Sequence, residues 1–169
     1  MGSHPAMLDD AALLAECETR RQRRSGPGGQ HRNKVETAVV ITHSPTGIQG
    51  EASERRSQEQ NRKVAVHRLR VNLATHHRTE VSAEGYEPSE LWRQRCRSRR
   101  VSVNPQHDDF PAILAEALNL LAASGWEPKE AAALLGCSPS QLVKLIQLEP
   151  HAFIELNRQR VERGLRQLR

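Results

Sequence analysis

The sequence predicts an α+β domain followed by a small all-α module. Three observations carry this. A β-branched run, Thr37 to His43, is joined through Ser44-Pro45-Thr46-Gly47 to a second short run, Ile48 to Ala52, which is the pattern of a β-hairpin. From about Gln58 to His76, Val66, Leu69 and Leu73 recur at helical spacing, so a long amphipathic helix can lay one face on that hairpin. From Asp108 onward the chain is rich in Leu and Ala and is cut by Gly and Pro into helix-length pieces.

Taken in order, Asp10 to Glu16 is a short apolar-rich helix, and Glu18 to Arg24 then runs charged into Ser25-Gly26-Pro27-Gly28-Gly29-Gln30. Three glycines and a proline in four positions exclude helix and regular strand there. In the hairpin connection, Ser44 first, Pro45 second and Gly47 fourth are type I turn preferences. Ser57 with Gln60 fits a capping box at the start of the long helix. Arg78 to His107 contains Pro88, Pro105 and five arginines between Trp92 and Arg100, and reads as a basic linker. Behind it, Asp109 caps a helix that Gly125 stops, and Pro128 opens a second helix ended by Gly136. Ser138-Pro139-Ser140-Gln141 caps a third, and Pro150 opens a last one that Gly164 terminates. The expected organisation is therefore 8–77, a linker at 78–107, and a helical module with a basic tail at 108–169.

Composition narrows the chemistry. The 169 residues include 25 Lys and Arg against 20 Asp and Glu, a net charge of +5 that favours polyphosphate partners. Aromatic residues are 3% of the chain, too few for a broad base-stacking platform. No apolar run approaches the roughly 20 residues of a membrane span, and Met1 to Asp10 lacks an apolar signal core. The early Asp9 and Asp10 argue against a mitochondrial presequence. Met1 to His4 has the composition of an expression remnant. Cys17, Cys96 and Cys137 form no C-x-x-C pair, and His76-His77 has no cysteine at zinc-ligand spacing. A cytoplasmic protein that is monomeric and uses no metal or cofactor is expected.

The Gly-rich run is not a P-loop, because the G-x-x-x-x-G-K-[ST] spacing is absent, and no apolar strand precedes it as a dinucleotide fingerprint requires. Ser25-Gly26-Pro27-Gly28-Gly29-Gln30-His31 resembles the catalytic loop of class I peptide chain release factors. Thr42-His43-Ser44-Pro45-Thr46-Gly47-Ile48 resembles the hairpin that follows it in those factors. Glu54-Arg55-Arg56-Ser57-Gln58, with Asn61 after it, resembles the start of their long helix. Asn33-Lys34 resembles the stand-alone members that rescue stalled ribosomes, whereas the hairpin resembles the codon-reading members more, and Arg32 departs from the small apolar residue usual at that place. The resemblance covers about Asp10 to His77. It implies a release-factor-type catalytic domain, and a ribosome-dependent peptidyl-tRNA hydrolase with rRNA and P-site peptidyl-tRNA as partners. The chain is shorter than a full release factor, and the short codon-reading tripeptides of those factors are not found in it, so codon-independent rescue is expected.

Within that resemblance Gly28, Gly29 and Gln30 are the catalytic residues, supported by Ser25, Gly26, Asn33 and Lys34. The reaction needs a water held at the ester carbonyl and donors for the charge that develops there. Glycines open backbone angles that could aim the Gln30 amide N–H inward, and the Gln30 side chain can orient water without acting as a base. His31 beside the loop is read as solvated. Contacts to RNA are expected from Arg23, Arg24, Arg32 and Arg56, from the cluster Arg93, Arg95, Arg97, Arg99 and Arg100, and from Arg163, Arg166 and Arg169 in the tail. The tail is either an anchor in a phosphate-lined path or a cap on the helical module. Ala131 to Ile146 has helix-turn-helix spacing with Gly136 at the turn, although Gln141, Lys144 and Gln147 are few readers for DNA bases. Two other readings stay open: a DNA-binding regulator, and an RNA-binding protein without hydrolase activity.

Overall fold

The structure, a computed structural model, describes residues 3–22 and 37–169. They divide into two compact units, one of Pro5–Leu73 and the other of Ala74–Arg169 with residues up to His4.

The first unit is α+β. A 3-10 turn at Pro5–Met7 leads to α1, Asp10–Ala15. Asp9 starts α1 by accepting the Ala12 amide at 2.8 Å, which satisfies a first-turn donor. Strands β1 (Cys17–Gln22), β2 (Ala38–His43) and β3 (Gln49–Ala52) form an antiparallel sheet in sequence order. The expected hairpin is β2–β3, but its turn closes one residue earlier than the sequence pattern places it. The His43 carbonyl accepts from Thr46 and Gly47 at 3.2 and 2.8 Å. Gly47 takes the left-handed angle, φ +71°.

β1 is an element the sequence did not announce. All but one of its side chains are exposed, because it is an edge strand and α2 covers its neighbours. Apolar and polar residues therefore do not alternate along it.

Helix α2, Gln58–His76, lies on the sheet. Asn61, Ala65, Leu69 and Leu73, spaced by four, are all fully buried, facing the inner side of β2 and β3 where Val39, Ile41 and Ala52 are buried as well. The approach is closest at Gly50. A methyl group there would fall on the Ala65 carbonyl oxygen and the Leu69 amide nitrogen, and 2.7 Å from Leu69 Cα. Only a residue without a side chain lets helix and strand backbones meet there.

The second unit is helical: α3 (Glu90–Arg95), α4 (Phe110–Ala123), α5 (Pro128–Leu135), α6 (Pro139–Gln147) and α7 (Pro150–Glu162). A two-stranded hairpin, β4 (Cys96–Arg97) and β5 (Arg100–Val101), follows α3. Every residue from Phe110 to Leu121 is buried, so α4 is the central helix. The stretch expected to be a linker carries structure of its own. Trp92 is 1% exposed and donates its indole N–H to the Leu135 carbonyl at 2.7 Å. Glu116 of α4 accepts from the Tyr86 hydroxyl and the Ser89 amide at 2.7 and 2.8 Å. Asn119 accepts the Thr79 amide at 3.2 Å. The polar composition of 78–107 thus hides a segment whose polar groups have buried partners. Burial and the Glu116 carboxylate together push the Tyr86 hydroxyl well above its ordinary pKa.

Asp109 does not cap α4 with its side chain. Its carboxylate accepts from Arg95 Nε at 2.8 Å instead. Gly136, at φ +68°, ends α5, and Ser138 caps α6 by accepting the Gln141 amide at 3.2 Å, as the helix-turn-helix spacing predicts.

Candidate functional site

Residues 23–36, which connect β1 to β2, contain the sequence-predicted catalytic residues Gly28, Gly29 and Gln30. Ser25, Gly26, Asn33, Lys34, Arg23, Arg24 and Arg32 belong to the same segment, and all of these lie outside the described residues. What the fold supplies is the frame at both ends of that segment. Gln22 and Ala38 face each other in the β1–β2 ladder, so the two ends are held at one strand spacing, ≈ 4.7–4.9 Å between neighbouring strands. Five further pairs, back to Cys17↔His43, fix the register.

The exit is fixed a second time by Asn61. This side chain donates its amide Nδ2 to the Thr37 carbonyl at 2.7 Å and to the Arg55 carbonyl at 3.0 Å, and its Oδ1 accepts the Arg55 amide at 2.9 Å. One fully buried amide thereby ties the residue before β2 to the turn that precedes α2. Each bond is worth about 1 kcal/mol net, and a buried group left without its partner costs about 1–3 kcal/mol. In the sequence Asn61 stands after the helix-start motif with no role of its own. The signal was available: a polar residue on the stripe of Ala65, Leu69 and Leu73 must bring its partners into the core.

The far end of the same strands is pinned independently. His43, 1% exposed, shares hydrogen bonds with Glu16 Oε2 at 3.0 Å and Thr46 Oγ1 at 2.8 Å. The Ser44 amide reaches the Glu16 carbonyl at 2.9 Å. Back toward the loop end, where Ala52 pairs with Val39, Arg68 grips Glu54 at 2.7 Å and the Glu51 carbonyl at 2.8 Å. Backbone N–H groups of Glu54 and Ser53, ahead of Arg68, hold the Glu54 carboxyl below its usual range.

The remaining predicted cations are not equivalent. Arg56, Arg93, Arg97, Arg99 and Arg100 are exposed. Arg95 is not free, since it pairs with Asp109 and also reaches His107 Nε2 at 3.1 Å. Arg163 donates to the Gln159 carbonyl at 2.9 Å and lies 5.8 Å over the Trp126 ring. Arg166 and Arg169 are exposed, but their segment is tied back onto α7. Leu168 exchanges backbone hydrogen bonds with the Asn157 side chain at 2.8 and 3.2 Å, and the Leu165 amide reaches the Arg160 carbonyl at 2.9 Å. Arg160, 6% exposed, donates to the carbonyls of Arg166 and Trp126. Of the two expectations for the tail, capping the helical unit is the one this geometry matches.

Residues 14–108, more than half of the chain and including Gly28-Gly29-Gln30, match the RF-1 domain model. The chain belongs to the RF-1 domain family. The match runs beyond His77, the end of the sequence resemblance, and takes in the folded stretch 78–107 in place of a linker. Among similar proteins is a peptide chain release factor 2 of Paramagnetospirillum magneticum, 42% identical over 124 residues, which are 65% of this chain and 33% of that protein. A peptide chain release factor 2 of Sulfurovum is 42% identical over 100 residues, 56% of this chain and 28% of that protein. A mitochondrial peptide chain release factor 1-like protein of Mus musculus is 43% identical over 70 residues, 41% and 19% of the two chains. This RF-1 domain chain spans about a fifth to a third of the length of these relatives. Among the described residues no helix is long and apolar enough to cross a membrane.

Proposed function

We propose that this chain hydrolyses peptidyl-tRNA on the ribosome. The observation that carries the reading is that Gly28-Gly29-Gln30 falls inside the family match, on a connection whose two ends are fixed by the Gln22↔Ala38 pair and by Asn61. A loop that must present a backbone donor to a developing oxyanion needs such a frame, since preorganised donors cost no reorganisation during reaction. Gly28 and Gly29 set the backbone, the Gln30 amide N–H faces the developing charge, and the Gln30 side chain orients the water. The ester bond to the tRNA ribose breaks, the peptide takes the hydroxyl of water, and the ribose oxygen takes its proton. The partners are the ribosome, through rRNA and P-site peptidyl-tRNA, and the chain acts as a cytoplasmic monomer.

The finer form of the reading is codon independence, hence ribosome rescue. It is supported by Asn33-Lys34 beside the loop and by the helical fold of the residues that follow the family match. The test is peptide release with a sense codon, a stop codon or no codon in the A site. Equal release is expected in all three, and strict stop-codon dependence contradicts rescue.

A second reading, duplex DNA binding through α5 and α6, is favoured by the left-handed Gly136 and the Ser138 cap between them. Sequence-selective duplex binding that survives loss of the Gly-rich loop would establish it.

A further inference from the structure

The β4–β5 hairpin is an unusual turn. Arg97 pairs with Arg100 directly across two very short strands, and the residues between them, Ser98 and Arg99, both take positive φ, +49° and +63°. Two positive angles in a two-residue hairpin define the type I′ pattern, which normally selects Asn-Gly because other residues clash there. Like charges facing each other across a ladder add a further penalty. A strained, self-repelling turn persists only where its surroundings over-determine it.

The surroundings do so from three sides. Trp92 anchors the preceding helix to the Leu135 carbonyl, Arg95 at the hairpin base pairs with Asp109, and the Ser138 amide donates to the Arg99 carbonyl at 3.2 Å. The base arginine is consumed by this scaffold. The three tip arginines, Arg97, Arg99 and Arg100, are exposed, and among the described residues no carboxylate pairs with them. Strain and repulsion are thus maintained in a segment whose outward charges are three guanidinium groups.

We infer that this hairpin tip is a docking element for the phosphate backbone of ribosomal RNA. The partner follows from the shape. A single phosphate would need a concave cradle, whereas three exposed cations within four residues match successive charges along an extended polyanion. Guanidinium groups also bind phosphate oxygens in pairs. The inference rests on the ribosome being the partner, and it names the place of contact.

The test is binding of the full chain to vacant ribosomes across a salt titration, beside the peptide-release assay. Replacing Arg97, Arg99 and Arg100 together by Gln should raise Kd about tenfold or more. It should also flatten the dependence of log K on log salt by about 2–3, as three phosphate contacts require, with a melting temperature no lower than the wild type's, since the Arg97–Arg100 repulsion is removed. The three Lys replacements should keep the salt slope, and Ser98→Asn, which suits the turn, should keep the affinity. Arg158→Gln, whose parent side chain is already paired with Glu155 and Glu162, should change neither. Unchanged affinity and slope in the triple Gln variant overturn the inference. Release by the wild type with unaltered binding in that variant retires the hairpin alone. Hairpin-dependent binding with no release by the wild type retires the hydrolase alone.

Discussion

The two units of this chain bury polar side chains for different ends. In Pro5–Leu73 they fix the ends of the strands: Asn61 holds Thr37 and Arg55, and His43 holds Glu16 and Thr46. In Ala74–Arg169 they stitch irregular chain to a saturated helical core, as Glu116 does with Tyr86 and Ser89 and Arg160 does with Trp126 and the tail. The first arrangement leaves a small apolar core around Leu13, Ile41, Leu69 and Leu73 and a precisely held pair of strand ends. The second absorbs several of the cations that composition alone offers to a nucleic acid. Net charge, read without structure, overstates how many arginines are free.

The comparison can be broken where each unit is most specialised. The largest effect is expected from Gly29→Ala. If residues 28–30 are the reacting loop, release should fall by about 10²-fold or more, the cost of one misplaced oxyanion donor. The melting temperature should hold, because no core contact is removed. Gln30→Ala should be milder, since its backbone amide remains. Gly50→Ala acts on the frame: its methyl would meet the α2 backbone, and a destabilisation of about 3 kcal/mol is expected in urea unfolding, at the upper end for overpacking.

Asn61→Ala should cost about 1–3 kcal/mol by leaving Thr37 and Arg55 groups unpaired. It should also lower release at temperatures where the protein is still fully folded, which is the sign of a positioning role rather than stability alone. Deleting Leu165 to Arg169 should lower the melting temperature by a few degrees, because the Leu168–Asn157 exchange and the Arg160 contact are lost. Release at temperatures well below melting should be unaffected.

The smallest effect is on acidification. Glu54 in one unit is held below the usual carboxylate range by backbone N–H groups, and Glu155 in the other by the Arg158 side chain. A folded pKa below the unfolded one means that the unfolded chain binds protons first. Both units should therefore be at full strength above the ordinary carboxylate pKa and lose stability as pH falls through the lowered values. Because both carboxylates are partly exposed the loss is modest, and Arg158→Gln should reduce it only in the helical unit, as read by hydrogen exchange against pH.

Much of the frame was legible. The Gln58–His76 helix, the β2–β3 hairpin, the Gly136 turn and the Gly164 stop follow from periodicity and from turn chemistry, because there the local preference and the fold agree. β1 was not legible, since an edge strand with exposed side chains on both sides leaves no alternation to read. The stretch 78–107 was misread because Glu116 and Asn119, which hold it, lie some 30 to 40 residues further along; a polar segment with distant buried partners looks like a linker in sequence. The turn at His43 shifted by one residue because a buried histidine, bonded to Glu16 and Thr46, fixes the strand end. The candidate loop rests on its motif, which lies inside the family match, while Asn61 needed the fold to show what it holds.

The most direct measurement of the central claim is hydrolysis of one peptidyl-tRNA in two settings, free in solution and bound in the ribosomal P site with truncated mRNA. On the proposed mechanism the loop supplies a donor and a water-orienting amide but no general base, and the ribosome supplies the rest. Release should therefore be rapid on the ribosome and near background in solution, and Gly29→Ala should remove the ribosomal rate. Equal hydrolysis in both settings, or none on the ribosome by the folded wild-type chain, would contradict the account.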